Sequence, residues 1–143
     1  MFKISNNIYD AIKNNDISIE ELSYSICSNI RKDICIKYVD ESKNYRLLWE
    51  KLSECEFLND SDGWSYIKDF VNDDELIMFF NEDDEDKMFR IKNGEELYFI
   101  LSETYGYEFY ITNINTTYLI CFNHHDILCG CGEAKQWVKS LKK

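Results

Sequence analysis

The sequence predicts an α+β fold: one domain over residues 1–143, with N-terminal helices, then a ββαββ, mainly antiparallel sheet with helices packed on one face, and a C-terminal helix. Two observations carry this. Apolar residues recur at helical spacing in the first half, whereas the second half changes to short runs rich in aromatic and β-branched residues. The chain also has no proline, only five glycines and no internal repeat, which leaves no linker to divide it.

Taken in order, Ile4, Ile8 and Ile12 lie four apart and predict a short helix ending at Asn14-Asn15-Asp16. Ser18 with Glu21 three residues on reads as a capping box, Ile17 and Leu22 occupy the staple positions, and Ile19, Leu22, Ile26 and Ile30 extend a helix over 19–31. These two helices are expected to form a hairpin. Ile34, Ile36 and Tyr38 alternate as in a short strand, and Tyr45, Leu48, Trp49 and Leu52 mark a third helix. Asp60-Ser61-Asp62-Gly63 reads as a turn, with Asp62 capping a brief helix that carries Trp64, Ile67 and Phe70.

In the second half, Glu75–Phe80 and Met88–Ile91 are apolar runs of strand length, separated by an acidic loop. Asn93 with Glu96 caps a helix running to about Thr104 and ending near Gly106. Glu108–Thr112 and Thr117–Phe122 are strands joined by an Asn113-Ile-Asn-Thr turn, and Ile127–Cys129 extends into a further strand. Ala134, Trp137, Val138 and Leu141 form the apolar stripe of a closing basic helix. Trp49 and Trp137 sit on such stripes and are expected to be core anchors.

Charge is the most uneven property of the chain. Residues 54–103 hold 16 Asp/Glu and 4 Lys/Arg, while the remainder is nearly neutral, so one stretch carries the whole formal charge of −11. Its acids include Asp73 and Asp74 and the run Glu82, Asp83, Asp84, Glu85 and Asp86 behind Asn81. A field this concentrated favours a basic protein surface and opposes nucleic acid and anionic membrane. The plain alternative is a solvated loop that protects a hairpin from edge pairing. A dedicated calcium loop is a poor fit: Asn81–Asp86 lacks the required glycine, and a loop phased on Gly63 would begin at Leu58 and end at Asp69.

No apolar stretch is long enough for a transmembrane helix, and Met-Phe-Lys-Ile-Ser-Asn-Asn at the N-terminus lacks the apolar core of a signal peptide. The expected location is the cytoplasm, with all six cysteines reduced. Asn123-His124-His125-Asp126 holds both histidines. A metal site would combine His124 or His125 with Cys129 and Cys131, and Asp126 would orient His124. Adjacent residues on a strand diverge, however, and His-x4-Cys-x-Cys is a loose pattern, so the expectation is no metal and no cofactor. The other reading is a turn whose imidazoles bond to backbone. Cys129-Gly-Cys-Gly lacks CxxC spacing, and no phosphate loop, GxSxG or HExxH occurs, so no catalytic residue is expected.

The segment Tyr118-Leu-Ile-Cys-Phe-Asn-His-His-Asp-Ile-Leu-Cys-Gly-Cys-Gly, with Leu48-Trp49-Glu50 upstream, resembles a small group of uncharacterised bacterial proteins with an NHHD-type ending. That resemblance spans roughly Tyr45 to the C-terminus and brings no activity with it. In size, acidity and α+β layout the chain is also similar to immunity proteins, which neutralise toxin domains. The expectation is therefore a non-enzymatic immunity protein whose acidic residues cover a basic toxin surface. The alternative is a metal-binding protein using the His124-His125-Asp126 and Cys129-Cys131 segment.

Overall fold

A computed structural model describes residues 3–43 and 45–142; Met1, Phe2, Asn44 and Lys143 of the predicted 1–143 domain lie outside the described residues. Among the described residues, seven strands form one antiparallel sheet: β1 (Glu20–Glu21), β2 (Glu56–Asn59), β3 (Leu76–Phe79), β4 (Phe89–Ile91), β5 (Phe109–Thr112), β6 (Tyr118–Phe122) and β7 (Ile127–Gly132). Their order across the sheet is β1-β4-β3-β5-β6-β7-β2. The helices are α1 (Ile4–Ile12), α2 (Tyr24–Tyr38), α3 (Ile67–Val71), α4 (Gly94–Glu103) and α5 (Glu133–Leu141). The α+β class, the single domain, the ββαββ core (β3-β4-α4-β5-β6) and the closing helix are as the sequence predicts.

Strand residues alternate between two cores, as the period of two requires. On one face Leu76, Met78, Phe80, Phe89, Ile91, Ile111 and Ile120 pack against α1, α3, α4 and α5. On the other, Ile77, Phe79, Tyr110, Leu119, Cys121, Cys129 and Cys131 pack against α2. The one-face arrangement thus holds for α1, α3, α4 and α5, while α2 covers the opposite face. The expected hairpin of the first two helices does not form, because the sheet lies between them.

Competition between local and tertiary bonds explains the changed N-terminal boundaries. Ser18 caps nothing, since Glu20 and Glu21 pair with Arg90 and Phe89 at the sheet edge and Leu22 N donates to Met88 O at 2.9 Å. The helix begins one turn later, where Ser23 Oγ accepts from Ile26 N at 3.3 Å. It then runs through the segment expected to be a strand. Ile30, Ile34 and Tyr38 are buried at four-residue spacing while Ile36 is 76% exposed, the pattern of a helix and not of alternation. The expected third helix shrinks to a 3-10 turn over Leu48–Glu50, with Tyr45 exposed. β2 had no counterpart in the sequence reading.

Elsewhere local signals prevail. Asn93 Oδ1 accepts from Glu96 N at 3.0 Å and starts α4 as expected. Asp62 makes no side-chain cap; Asp60 organises that turn instead, accepting from Asp62 N and from the Tyr66 hydroxyl. Gly94 and Gly130 permit close packing: a Cβ at Gly94 would stand 2.5 Å from Lys68 O, and one at Gly130 would stand 2.5 Å from Val138 Cγ2. Trp137 packs on the four-helix core and Trp49 on the α2 core, each half-buried, so both serve as anchors at the core margin and not within it.

Candidate functional site

The acidic loop follows β3 directly and is held at two points. Asn81 is buried, and its backbone carbonyl accepts from Asp84 N at 2.9 Å and Glu85 N at 3.1 Å, closing a tight turn. Four residues on, Glu85 is also buried, contrary to an entirely solvated loop. Its Oε1 accepts from Ser5 N at 3.1 Å, one of the donors left open at the start of α1, and its Oε2 accepts from Lys87 N at 3.3 Å. Burial opposes ionisation of Glu85, but the bonds from Ser5 and Lys87 outweigh it and hold the pKa below its ordinary value. Glu85 is therefore an anchor, not a surface charge.

Glu82, Asp83, Asp84 and Asp86 are left outside. Glu82 lies 3.8 Å from Arg31 and Asp83 3.8 Å from Arg46, beside a cavity of about 360 Å³ whose apolar lining includes Ile34, Leu48 and Phe79. Both carboxylates are well exposed, so these pairs stabilise little. Asp84 and Asp86 have no ion pair among the described residues. Asp73 and Asp74 are exposed in the turn after α3, at the opposite end of β3 from the loop, so the structure does not join them to the other four.

The base of the loop touches a second polar cluster. Glu108, at the head of β5 and 8% exposed, accepts four hydrogen bonds. Oε1 accepts from Trp49 Nε1 at 3.0 Å and Asn81 Nδ2 at 2.9 Å; Oε2 accepts from His124 N at 2.9 Å and pairs with His124 Nδ1. Burial would raise the Glu108 pKa, yet the bonds from His124, Trp49 and Asn81 bring it below its ordinary value. A carboxylate can only accept, so His124 presents Nδ1–H to Glu108 and leaves Nε2 as the open nitrogen. The Tyr110 hydroxyl extends the cluster, donating to Asn81 Oδ1 at 2.6 Å and accepting from Trp49 N at 3.1 Å.

The NHHD segment is the tight turn between β6 and β7. Asn123 Oδ1 accepts from His125 N and Ile127 N, and Asp126 adopts a φ of 60° while its carbonyl accepts from Asp60 N. Glu108, and not Asp126, orients His124. Both imidazoles are exposed, with ring centroids 3.9 Å apart, and Trp49 lies edge-on to each at about 6 Å. Neither joins the cysteines: among the described residues the ligating atoms that converge are those of Cys55, Cys129 and Cys131. The all-reduced expectation is corrected as well, since Cys55 and Cys131 form a disulfide and Cys27, Cys35, Cys121 and Cys129 are free.

Sequence reasoning missed Glu108, Asn81, Tyr110 and Cys55. A signal existed for Glu108, which shares strand parity with the inward Tyr110 and so had to face the sheet interior if the strand began there. Asn81 read as part of a charge run because its partners are 27 and 29 residues away. Fold and site together define a small antiparallel α+β domain, helices on both faces, with its polar side-chain network gathered on the α2 face. The chain belongs to a family described as "Family of unknown function (DUF6756)", whose family model matches residues 2–142. No curated protein and no solved structure matches it. No helix is long and apolar enough to cross a membrane among the described residues.

Proposed function

We propose that this chain is a non-enzymatic, cytoplasmic binding protein that presents Glu82, Asp83, Asp84 and Asp86 to a basic protein surface. The partner of that chemistry closest to its general character is a bacterial toxin domain, with the chain as its immunity protein. One observation carries this reading: a loop needed only for solubility has no use for two buried anchors, yet Asn81 and Glu85 pin this one at both ends. Fixing the loop beforehand removes ordering entropy from binding, and the outward charge accelerates encounter. Trp49, half-buried beside His124 and His125 at the base of the loop, is suited to be the apolar contact inside that charged rim.

The test is whether an open reading frame adjacent to the chain's gene encodes a basic toxin domain and, with that domain, association followed over a salt series. Wild type should associate faster as salt falls. Replacing Glu82, Asp83, Asp84 and Asp86 by Gln and Asn should slow association by roughly tenfold or more and flatten the salt dependence. Equal rates for wild type and variant at every salt concentration remove the loop from the interface.

A further inference from the structure

Three cysteine sulfurs converge on the α2 face of the sheet, and neither the proposed function nor the acidic loop uses them. Cys129 and Cys131 are two apart on β7, so both side chains point to the same face, and they are 2% and 1% exposed. Cys55, directly before β2, is half-buried and approaches from the neighbouring edge strand. The three Sγ atoms all lie within 4.8 Å of one another, with Cys129 and Cys131 3.9 Å apart. Thiolates bound to one metal ion at about 2.3 Å stand about 4 Å from each other, whether trigonal or tetrahedral. The separation of Cys129 and Cys131 therefore already matches a shared ion.

We propose that the reduced protein binds one soft, thiophilic d10 cation through Cys55, Cys129 and Cys131. Ligand chemistry selects this class: three sulfurs with no carboxylate or imidazole among them favour Cu(I)- or Zn(II)-type ions over calcium, magnesium or manganese. Zn(II) would keep a water as fourth ligand, reached from the Cys55 side, which is the exposed margin of the group. His124 and His125 take no part.

The disulfide and the metal are alternatives at one place. A dithiol reductant supplies two electrons and two protons, the Cys55–Cys131 bond breaks to give two thiols, and the reductant leaves as its own disulfide. The incoming cation then displaces the thiol protons to solvent as the sulfurs ligate. Oxidation of Cys55 and Cys131 removes two of the three ligands and must abolish the site.

Cd(II) is the probe, titrated anaerobically into reduced full-length protein carrying Cys35→Ser, which removes the exposed thiol of α2. The expected result is one Cd(II) per chain, with an ultraviolet sulfur-to-metal charge-transfer band that is absent when the Cys55–Cys131 disulfide is intact. Cys55→Ser and Cys129→Ser should each weaken binding at least tenfold and reduce the band. Cys55 is half-buried, so that variant remains informative if Cys129→Ser disturbs the core; a circular-dichroism melt identifies any unfolded variant. Undiminished binding by folded Cys55→Ser protein overturns the proposal, as does a band of equal strength in the oxidised protein.

Discussion

The two faces of the sheet are built from the same strands and differ in almost everything else. Four α-helices seal one face with aliphatic and aromatic side chains. One helix, α2, and the irregular stretch behind it cover the other, where Glu108, Asn81, Tyr110, Trp49 and the cysteine group all reside. Hydrophobic burial is non-directional and tolerates dense covering, so the four-helix face has only to be filled. The strand side chains of the α2 face are as deeply buried, and its polar groups are buried only because each finds a specific partner. Both faces hold a hydrophobic core, and the loop that we propose binds a partner is anchored to each: through Asn81 on the α2 face and through Glu85 to Ser5 of α1 on the other.

That contrast breaks first where burial is deepest. Phe80, fully buried between Phe89 and Tyr107 on the four-helix face, should lose about 3–5 kcal/mol on substitution by Ala. This is a large part of the stability of a small domain, and urea denaturation should show most of the midpoint lost.

A smaller and different loss is expected on the α2 face. Glu108→Gln removes a charged acceptor from Trp49, Asn81 and His124 while keeping the volume, and should cost roughly 2 kcal/mol near neutral pH. The pH dependence identifies the cause. The folded-state pKa of Glu108 is depressed below its unfolded value, so its stabilisation is fully present above the unfolded pKa and is lost as pH falls through the folded one. Denaturation midpoints of wild type and Glu108→Gln should converge on acidification through the carboxylate range. A constant gap down to the acid transition would assign the loss to shape alone.

The smallest effect belongs to the outward charges. Neutralising Glu82, Asp83, Asp84 and Asp86 should shift the thermal midpoint by only a few degrees, since exposed substitutions away from buried partners rarely do more. A large fall would mean that the ion pairs to Arg31 and Arg46 support the fold.

The same division governs how much could be read from the chain. The four-helix face was legible because its signals are periodic and local: Ile4, Ile8 and Ile12 on one stripe, the Asn93 cap, and Ala134 and Val138 on the last helix. The α2 face was not. Ser18–Glu21 has a sound capping pattern, but pairing of Glu20 and Glu21 with β4 takes the segment into the sheet. Ile34, Ile36 and Tyr38 fit two periods over so short a window, and only burial by the sheet decides for the helix. Glu108, Asn81 and His124 are brought together by contacts 16 and 27 residues apart, which no window reveals. The charge of the loop was visible; its anchoring through Glu85 to Ser5, 80 residues away, was not.

The anchors at Asn81 and Glu85 should hold the acidic loop in one conformation before any partner arrives. Amide hydrogen exchange of the free protein measures this at Asp84 and Glu85, whose N–H groups donate to Asn81 O. Both amides should exchange well below their unstructured rates in wild type, and Asn81→Ala, which removes the bonds to Glu108 and Tyr110, should erase that protection while the central strands stay protected. Exchange of Asp84 and Glu85 at unstructured rates in the wild-type protein would show that the loop is not ordered in advance.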